Sequence, residues 1–362
     1  MGPETLAFET ELAKAVGAEH VVTVNSCTSA LFLSLLMHGV GVGDEVICPS
    51  LTWCSTANAA LYLGAIPVFC DVDPDTLCLT PQTVRAALTP RTKAVMVVHF
   101  GGLAMEIAAL RAVLPKSVAI IEDAAHAFGS CFANGKPVGS SGNATCFSFY
   151  ANKNLSTGEG GAIALFDGAQ ADRIRSLRQH GLPNDAWRRF IDPRQIGSGQ
   201  LTQLGYKMNY TDLQASLGRV QLRRQVEFAQ RRLAVAKHYL SRLAATAPGC
   251  TVQRDLINPA HARHLFVLCT PPAMGGKQRN ALLVRLRTLN IGAGIHYSLL
   301  HHMPLYASCP SCSLPVTEAL GPRLLTLPIS ASMTETDAED VMQALGIAWA
   351  ESFSSPYVAT KV

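Results

Sequence analysis

An α/β fold is what this chain predicts: a large unit built on a mostly parallel mixed sheet covered by helices, followed by a smaller C-terminal α+β unit. Three observations carry that reading. Short β-branched runs alternate with helical patterns through the first half, and strands that alternate with helices pair in parallel. The runs are apolar without polar alternation, as strands buried on both faces require. A long pattern rich in Leu, Arg and Gln, from 212 to about 243, then leads into a second set of elements.

Taken in order, strands are expected at 21–24, 45–48, 66–70, 94–98, 118–122, 144–149 and 162–166, where β-branched residues cluster between turn formers. Helical patterns lie between them near 28–38, 54–63, 81–88 and 104–113. The run Gly39-Val40-Gly41-Val42-Gly43 follows a helix rather than a strand and lacks dinucleotide spacing, so it reads as a turn. After the long connector come a strand at 264–270 and helices at 277–289 and 335–350. The chain therefore divides into residues 1–243, connector helix included, and 244–362. Residues 352–362 read as a weakly anchored end.

Composition narrows the function. The chain has 362 residues, 48% hydrophobic and only 15% charged, which suits a large core and a subunit interface. Its net charge of +4 comes from interleaved signs with no basic tract, so nucleic acid is excluded and any phosphate contact should be local. Glu4, Glu9 and Glu11 stand where a secretory signal would be basic and then apolar. No run approaches the ~18 apolar residues of a membrane span. Eleven scattered cysteines, an odd number, fit free thiols in a reducing cytoplasmic compartment. Cys309 and Cys312, with His296, His301 and His302 upstream, lack a second paired-ligand motif, so no metal is expected.

Five segments carry chemistry. Lys153 sits just past the apolar run FSFY at 147–150 and before the turn GEGG at 158–161. A lysine held at a strand end inside a pocket can have the lowered pKa that Schiff-base chemistry needs; taken alone, a lysine is far more often a solvated loop residue, and the case rests on what stands elsewhere in the chain. NSCTSA at 25–30 puts hydroxyls at a helix start, which makes an anion site or a simple cap. Asp123 ends a central strand, where ligands of open α/β sheets collect. It would meet a cation such as a protonated pyridine nitrogen, or serve as a helix cap. Trp53, just past another strand, could stack on a planar ligand or pack in the core. The polar elbow GYKMNYTD at 205–212 offers Thr211 or Asp212 as a helix cap.

In that order (phosphate-type cup, aromatic, strand-end aspartate, then a lysine 30 residues on) the chain resembles the fold-type I pyridoxal 5'-phosphate enzymes. More narrowly, it resembles the DegT/StrS family of nucleotide-sugar aminotransferases. The matching pieces are NSCTSAL at 25–31, GDEVICPSLTW at 43–53, GAIPVFCDVDPDT at 64–76, IEDAAHAFG at 121–129, CFSFYANKNLSTGEGG at 146–161, GYKMNYTDLQA at 205–215 and IGAGIHY at 291–297. Seven ordered matches over nearly the whole chain make the resemblance specific.

The resemblance implies a role for each residue. Lys153 would form the Schiff base and later carry the proton. Asp123 would pair with the pyridine nitrogen, Trp53 would stack on the ring, and His126 would sit near the ring or its hydroxyl. Thr28, Ser29 and Ser148 would hold the phosphate. Asn209 would reach the cofactor phosphate of a neighbouring subunit, which implies a homodimer with shared sites. Glu159, Lys207, His296 and Tyr297 are the expected sugar-side contacts. The implied reaction moves an amino group from glutamate to a nucleotide-diphosphate-linked keto-sugar by a ping-pong route. A keto-cyclitol acceptor, or a non-catalytic regulator that binds the cofactor or a sugar nucleotide, are the alternatives; sugar dehydratases of the same scaffold carry histidine where this chain has Lys153. Two departures stand out. Many members have glutamine at the position of His126, and Gly2-Pro3 matches the end of a segment that in relatives follows a few tens of residues.

Overall fold

The computed structural model describes residues 1–182, 201 and 203–354. Its centre is a seven-stranded sheet in the order β1-β7-β6-β5-β4-β2-β3. The strands are β1 (His20–Val24), β2 (Glu45–Pro49), β3 (Ile66–Cys70), β4 (Thr92–Val98), β5 (Ala119–Asp123), β6 (Ala144–Ser148) and β7 (Gly161–Leu165). Every pairing from β3 to β6 is parallel, while β7 runs antiparallel to both β6 and β1. The mixed, mostly parallel sheet expected from the sequence is present. Each of β2, β6 and β7 is buried along its whole length, which is why their sequences show no alternation.

Helices cover both faces. Those of the first half are α1 (Pro3–Val16), α2 (Cys27–Met37), α3 (Cys54–Leu61), α4 (Pro81–Ala87), α5 (Ile107–Val113) and α6 (Gly168–Leu177). One core holds α1 and Val95, Val97, Phe147 and Phe149; the other holds α2 with Val22, Val46, Met96 and Ile121. The expected strands and the helices near 28–38, 54–63 and 81–88 form within a few residues of their expected bounds. The expected helix at 104–113 is shorter, starting only at Ile107, and a tight turn at Phe100–Gly102 precedes it.

The connector departs from expectation. Instead of one helix from 212 to about 243 there are two, α7 (Asp212–Arg223) and α8 (Gln225–Thr246), broken at Arg224, whose ψ of 0° is not helical. Thr211 caps α7 through a reciprocal box with Gln214. Asp212, the other expected cap, serves a different helix: its Oδ1 accepts from the N–H groups of Gly2 (2.9 Å) and Thr5 (3.1 Å) and from the Thr5 hydroxyl (2.6 Å) at the start of α1.

A second, antiparallel sheet has the order β10-β9-β8, from β8 (Thr251–Val252), β9 (Phe266–Cys269) and β10 (Leu324–Leu327). With α9 (Gly276–Thr288), α10 (Pro315–Leu320) and α11 (Glu335–Ser354) it completes the described chain. Val235, Tyr239 and Leu243 of α8 share a core with Phe266, Leu268, Leu325 and Leu345 of this second unit. Leu300, Tyr306 and Leu314, by contrast, return to the core of the large sheet. Most of the expected weak end at 352–362 lies outside the described residues. All eleven cysteines are unpaired, and Cys27, Cys48, Cys70, Cys78, Cys146 and Cys269 are buried. No described helix is long and apolar enough to cross a membrane.

Candidate active site

The carboxyl edge of the large sheet, where parallel strands end and their loops diverge, frames a cleft of about 470 Å³. Ser26, Cys27 and Thr28 border it after β1, Thr52 and Trp53 after β2, Asp123 at the end of β5, Ser148 at the end of β6, and Gly160 just before β7. Lys153 and Glu159 line it from the loop between β6 and β7, and His296 and Tyr297 close it from the second half of the chain.

The cup at the start of α2 depends on a close backbone crossing. Ser26 caps α2, its hydroxyl oxygen accepting from the Ser29 N–H at 3.1 Å. The first turn lies against Gly161, where a Cβ would come within 2.5 Å of the Ser26 carbonyl carbon; only glycine allows that approach. Thr28 faces the cleft and donates to the Ser55 hydroxyl at 2.8 Å. Ser29 does not border the cleft: its hydroxyl donates to Asn25 Oδ1 at 2.6 Å and braces the cup from behind.

Asp123 is 6% exposed. Its Oδ2 accepts from the Thr56 hydroxyl at 2.8 Å and its Oδ1 from the Ala125 N–H at 3.1 Å. Burial pushes its carboxyl above the usual range, against the pull of the Thr56 hydroxyl, the Ala125 N–H and the Lys153 ammonium. Trp53 is not a core residue: at 59% exposed it stands at the cleft mouth, 5.7 Å from the Tyr297 ring.

Lys153 is the cleft's amine. Burial lowers its pKa to about 8, with Asp123 opposing the fall. Its Nζ lies 3.3 Å from Nε2 of His264. The Asn154 amide donates to the Ala262 carbonyl at 2.8 Å, which turns Asn154 Oδ1 toward His264 Nδ1 at 3.3 Å. His264 therefore carries its proton on Nδ1 and accepts from Lys153 at Nε2. A parallel argument fixes His126. Its Nδ1 accepts from the Gly101 N–H at 3.3 Å, so its Nε2–H donates to the Tyr297 hydroxyl oxygen at 2.9 Å. The Tyr297 proton is left for the cleft. Burial pushes both histidines well below their ordinary pKa, and Lys153 adds to the effect.

The structure thus brings Lys153, Asp123, His126, Trp53, Thr28, Ser148, Glu159, His296 and Tyr297 around one cleft. Ser29 stands behind it, and Lys207 and Asn209 do not line it. Lys207 is exposed, and its backbone bridges Gln179. Sequence reasoning missed His264, Thr56, Ser55 and Tyr150. His264 and Lys153 are 111 residues apart in sequence, and no local pattern joins them. His301, His302 and Glu318 form a separate hydrogen-bonded cluster, with both Nε2 atoms 2.7 and 2.9 Å from Glu318 Oε1.

Comparison with known proteins fits this geometry. The model of the DegT/DnrJ/EryC1/StrS aminotransferase family matches residues 1–346. The chain belongs to that family. It is accordingly a pyridoxal-phosphate-dependent enzyme of the aminotransferase class. It is 41% identical over 351 residues to the spore coat polysaccharide biosynthesis protein SpsC of Bacillus subtilis (strain 168), covering 95% of this chain and 89% of that protein. Among solved structures, the aminotransferase TlmJ from Streptoalloteichus hindustanus is 34% identical with a TM-score of 0.86, over 97% of this chain and 92% of that one. Spr1654 from Streptococcus pneumoniae, in its PLP-form, is 26% identical with a TM-score of 0.88, over 98% and 93% of the two chains. The residues present suit that cofactor. A buried carboxylate raised by desolvation faces the cleft and needs a cation, a helix N-terminus offers an anion cup, and an amine of lowered pKa lines the same cleft.

Proposed function

We propose that this enzyme moves an amino group from glutamate to a keto-sugar carried on a nucleotide diphosphate, in two half-reactions of ping-pong type. The observation that carries the reading is the meeting of half-buried Lys153, its pKa lowered by desolvation, and buried Asp123 in one cleft. The polysaccharide role in the printed name of SpsC supports a sugar acceptor.

In this reading Thr28, Ser148 and the start of α2 hold the cofactor's phosphate, with Ser29 as their brace. Asp123 pairs with the ring nitrogen, Trp53 covers one face, and His126 meets the ring side. Bound pyridoxal phosphate supplies a carbonyl that takes up amines and a ring that accepts an electron pair. The protein does the rest. Lys153 Nζ, neutral in a useful fraction because its pKa lies near 8, takes the proton from the donor's α-carbon. It returns a proton to the carbon that bears the new amine. His264 Nε2 holds one Nζ–H and so fixes where the amine's lone pair points. Glu159, His296 and Tyr297 border the side from which the sugar enters.

Asn209 completes a neighbouring subunit's site in this reading, and Lys207 accompanies it. Supporting this, α7 begins three residues after Asn209 and leaves Leu213, Leu217 and Val220 exposed by 86%, 47% and 45%. Those positions, i, i+4 and i+7, make one apolar stripe, the feature a homodimer interface would cover.

The test is spectroscopic. Purified enzyme with its cofactor should absorb in the visible, bleach with glutamate, and recover its colour when the correct nucleotide-linked keto-sugar is added. Colour that no amino acid removes would refute transamination and point to a regulator. Recovery with a free keto-cyclitol instead of a nucleotide sugar would correct the acceptor.

A further inference from the structure

Outside the cleft, the described residues hold one group of side chains whose donor atoms converge as metal ligands do. These are His301, His302 and Glu318, with one donor atom from each within 4.8 Å of the others. Both imidazoles aim at a single oxygen: Nε2 of His301 lies 2.7 Å and Nε2 of His302 2.9 Å from Glu318 Oε1. Cys309 and Cys312 do not join the group.

The backbone holds these side chains in place from two directions. His301 and His302 stand on the tight turn Leu300–His302. The Leu300 N–H donates to the Ser50 carbonyl at 3.1 Å, and the His301 N–H donates to the Ser50 hydroxyl oxygen at 3.2 Å. Ser50 is fully buried just past β2, and the same oxygen lies 2.6 Å from His301 Nδ1. With Nδ1–H donating to it, the lone pair of His301 Nε2 points at Glu318, which is the tautomer a metal ligand needs. Glu318 stands on α10. Buried Asp71 anchors that helix, its carboxylate accepting from the Val316 and Thr317 N–H groups at 3.0 and 2.7 Å.

Two imidazoles turned toward one carboxylate oxygen need positive charge between them. Protons can supply it one ring at a time; a divalent ion supplies it to all three donors at once. Zinc holds nitrogen and oxygen at ~2.0–2.1 Å, which sets tetrahedral donors roughly 3.3 Å apart, so only a small spread of the three atoms is needed. Two nitrogens and one carboxylate suit zinc and its transition-metal neighbours, whereas magnesium and calcium take oxygen shells. The His302 and Glu318 side chains are 57% and 49% exposed, against 13% for His301. That leaves an entry path and room for a water ligand.

We propose that His301, His302 and Glu318 bind one zinc-class divalent ion, with water in the fourth position, and that the ion staples the turn at 300–302 to α10. The turn begins three residues after Tyr297, which closes the cleft. None of the three ligands lines the cleft, so the ion stiffens its wall without meeting the reacting groups.

The experiment titrates the full chain, cofactor bound, with zinc chloride, and in parallel with cobalt chloride read as difference spectra. Cobalt reports a tetrahedral nitrogen and oxygen site by its visible bands and a thiolate ligand by near-ultraviolet charge transfer. The forms compared are wild type, His302→Ala, Glu318→Gln and Cys309→Ser. One equivalent should bind to wild type with no thiolate band. The half-saturating zinc concentration should rise by about 100-fold in His302→Ala and Glu318→Gln, and by less than about threefold in Cys309→Ser. Zinc should raise the melting temperature of wild type but not of His302→Ala. All four forms, with or without zinc, should bleach alike with glutamate. The proposal is overturned if wild type binds no stoichiometric ion, or if His302→Ala and Glu318→Gln bind as wild type does. A thiolate band that disappears in Cys309→Ser also overturns it. Bleaching that depends on zinc would put the ion in the cleft and remove the staple.

Discussion

Lys153 is where residue-scale chemistry can be measured most directly. Its pKa of about 8 lies more than two units below the ~10.4 of an ordinary lysine. In cofactor-free protein, the rate of Lys153 acylation should rise with pH to a midpoint near 8: below that the amine is protonated and inert, above it neutral and nucleophilic. A midpoint near 10 would show that burial does not depress it. With cofactor bound, borohydride should fix the label on Lys153, and Lys153→Ala should carry none. Asp123→Asn should keep the cofactor but slow transamination by roughly 100-fold or more, as a stopped-flow bleaching rate would show; wild-type rates would remove the pairing with the ring nitrogen. Most of these residues were legible because each stands at a strand end followed by a turn, a pattern written in contiguous sequence. His264 was not. Its role comes from a contact across 111 residues, which leaves no local trace.

At the scale of elements, the strands were readable because burial on both faces strips them of polar alternation. The four-residue β10 and the two-residue β8 are too short to stand out as periodic segments. The break between α7 and α8 was hidden for a different reason: neither glycine nor proline occurs at 219–229, and both flanks read as good helix. What fixes the break is tertiary, since the Gln225 side chain donates to the Asn154 carbonyl at 3.0 Å beside Lys153. The cap on α1 is also non-local. Removing it with Asp212→Ala should cost about 1 kcal/mol in chemical denaturation; an unchanged midpoint would show the cap to be idle. Partial burial raises the Asp212 pKa, but the Thr5 hydroxyl and the Gly2, Thr5 and Glu4 N–H groups outweigh it and hold the carboxyl below its usual range. A carboxylate lowered in the folded state stabilises above its unfolded pKa of ~3.9. That contribution should fade only as pH falls below this value.

For the whole molecule, the sharpest question is whether one site needs two chains. Lys153→Ala protein mixed with Asn209→Ala protein, unfolded and refolded together, should regain activity. Random pairing makes about half the dimers mixed, each with one intact site, so recovery should approach a quarter of wild type. Two inactive parents that stay inactive on mixing would place Asn209 in its own chain's site or in none. The division at 243 expected from sequence followed the pattern of elements, yet burial ties both ways across it. The far end of α8 packs under the second sheet, and Leu300, Tyr306 and Leu314 pack under the first.

The unpaired cysteines have a practical consequence. Cys48 and Cys146 lie inside strands of the large sheet with thiols pushed far up by burial, and Cys70 and Cys78 are pushed up to about 12. Such thiols are shielded from alkylating reagents until the sheet opens, whereas Cys131, Cys250 and Cys309 are only half-buried. The protein thus carries its own reporters of unfolding. Mass-resolved alkylation, with no dye or added probe, would tell surface breathing from loss of the native state.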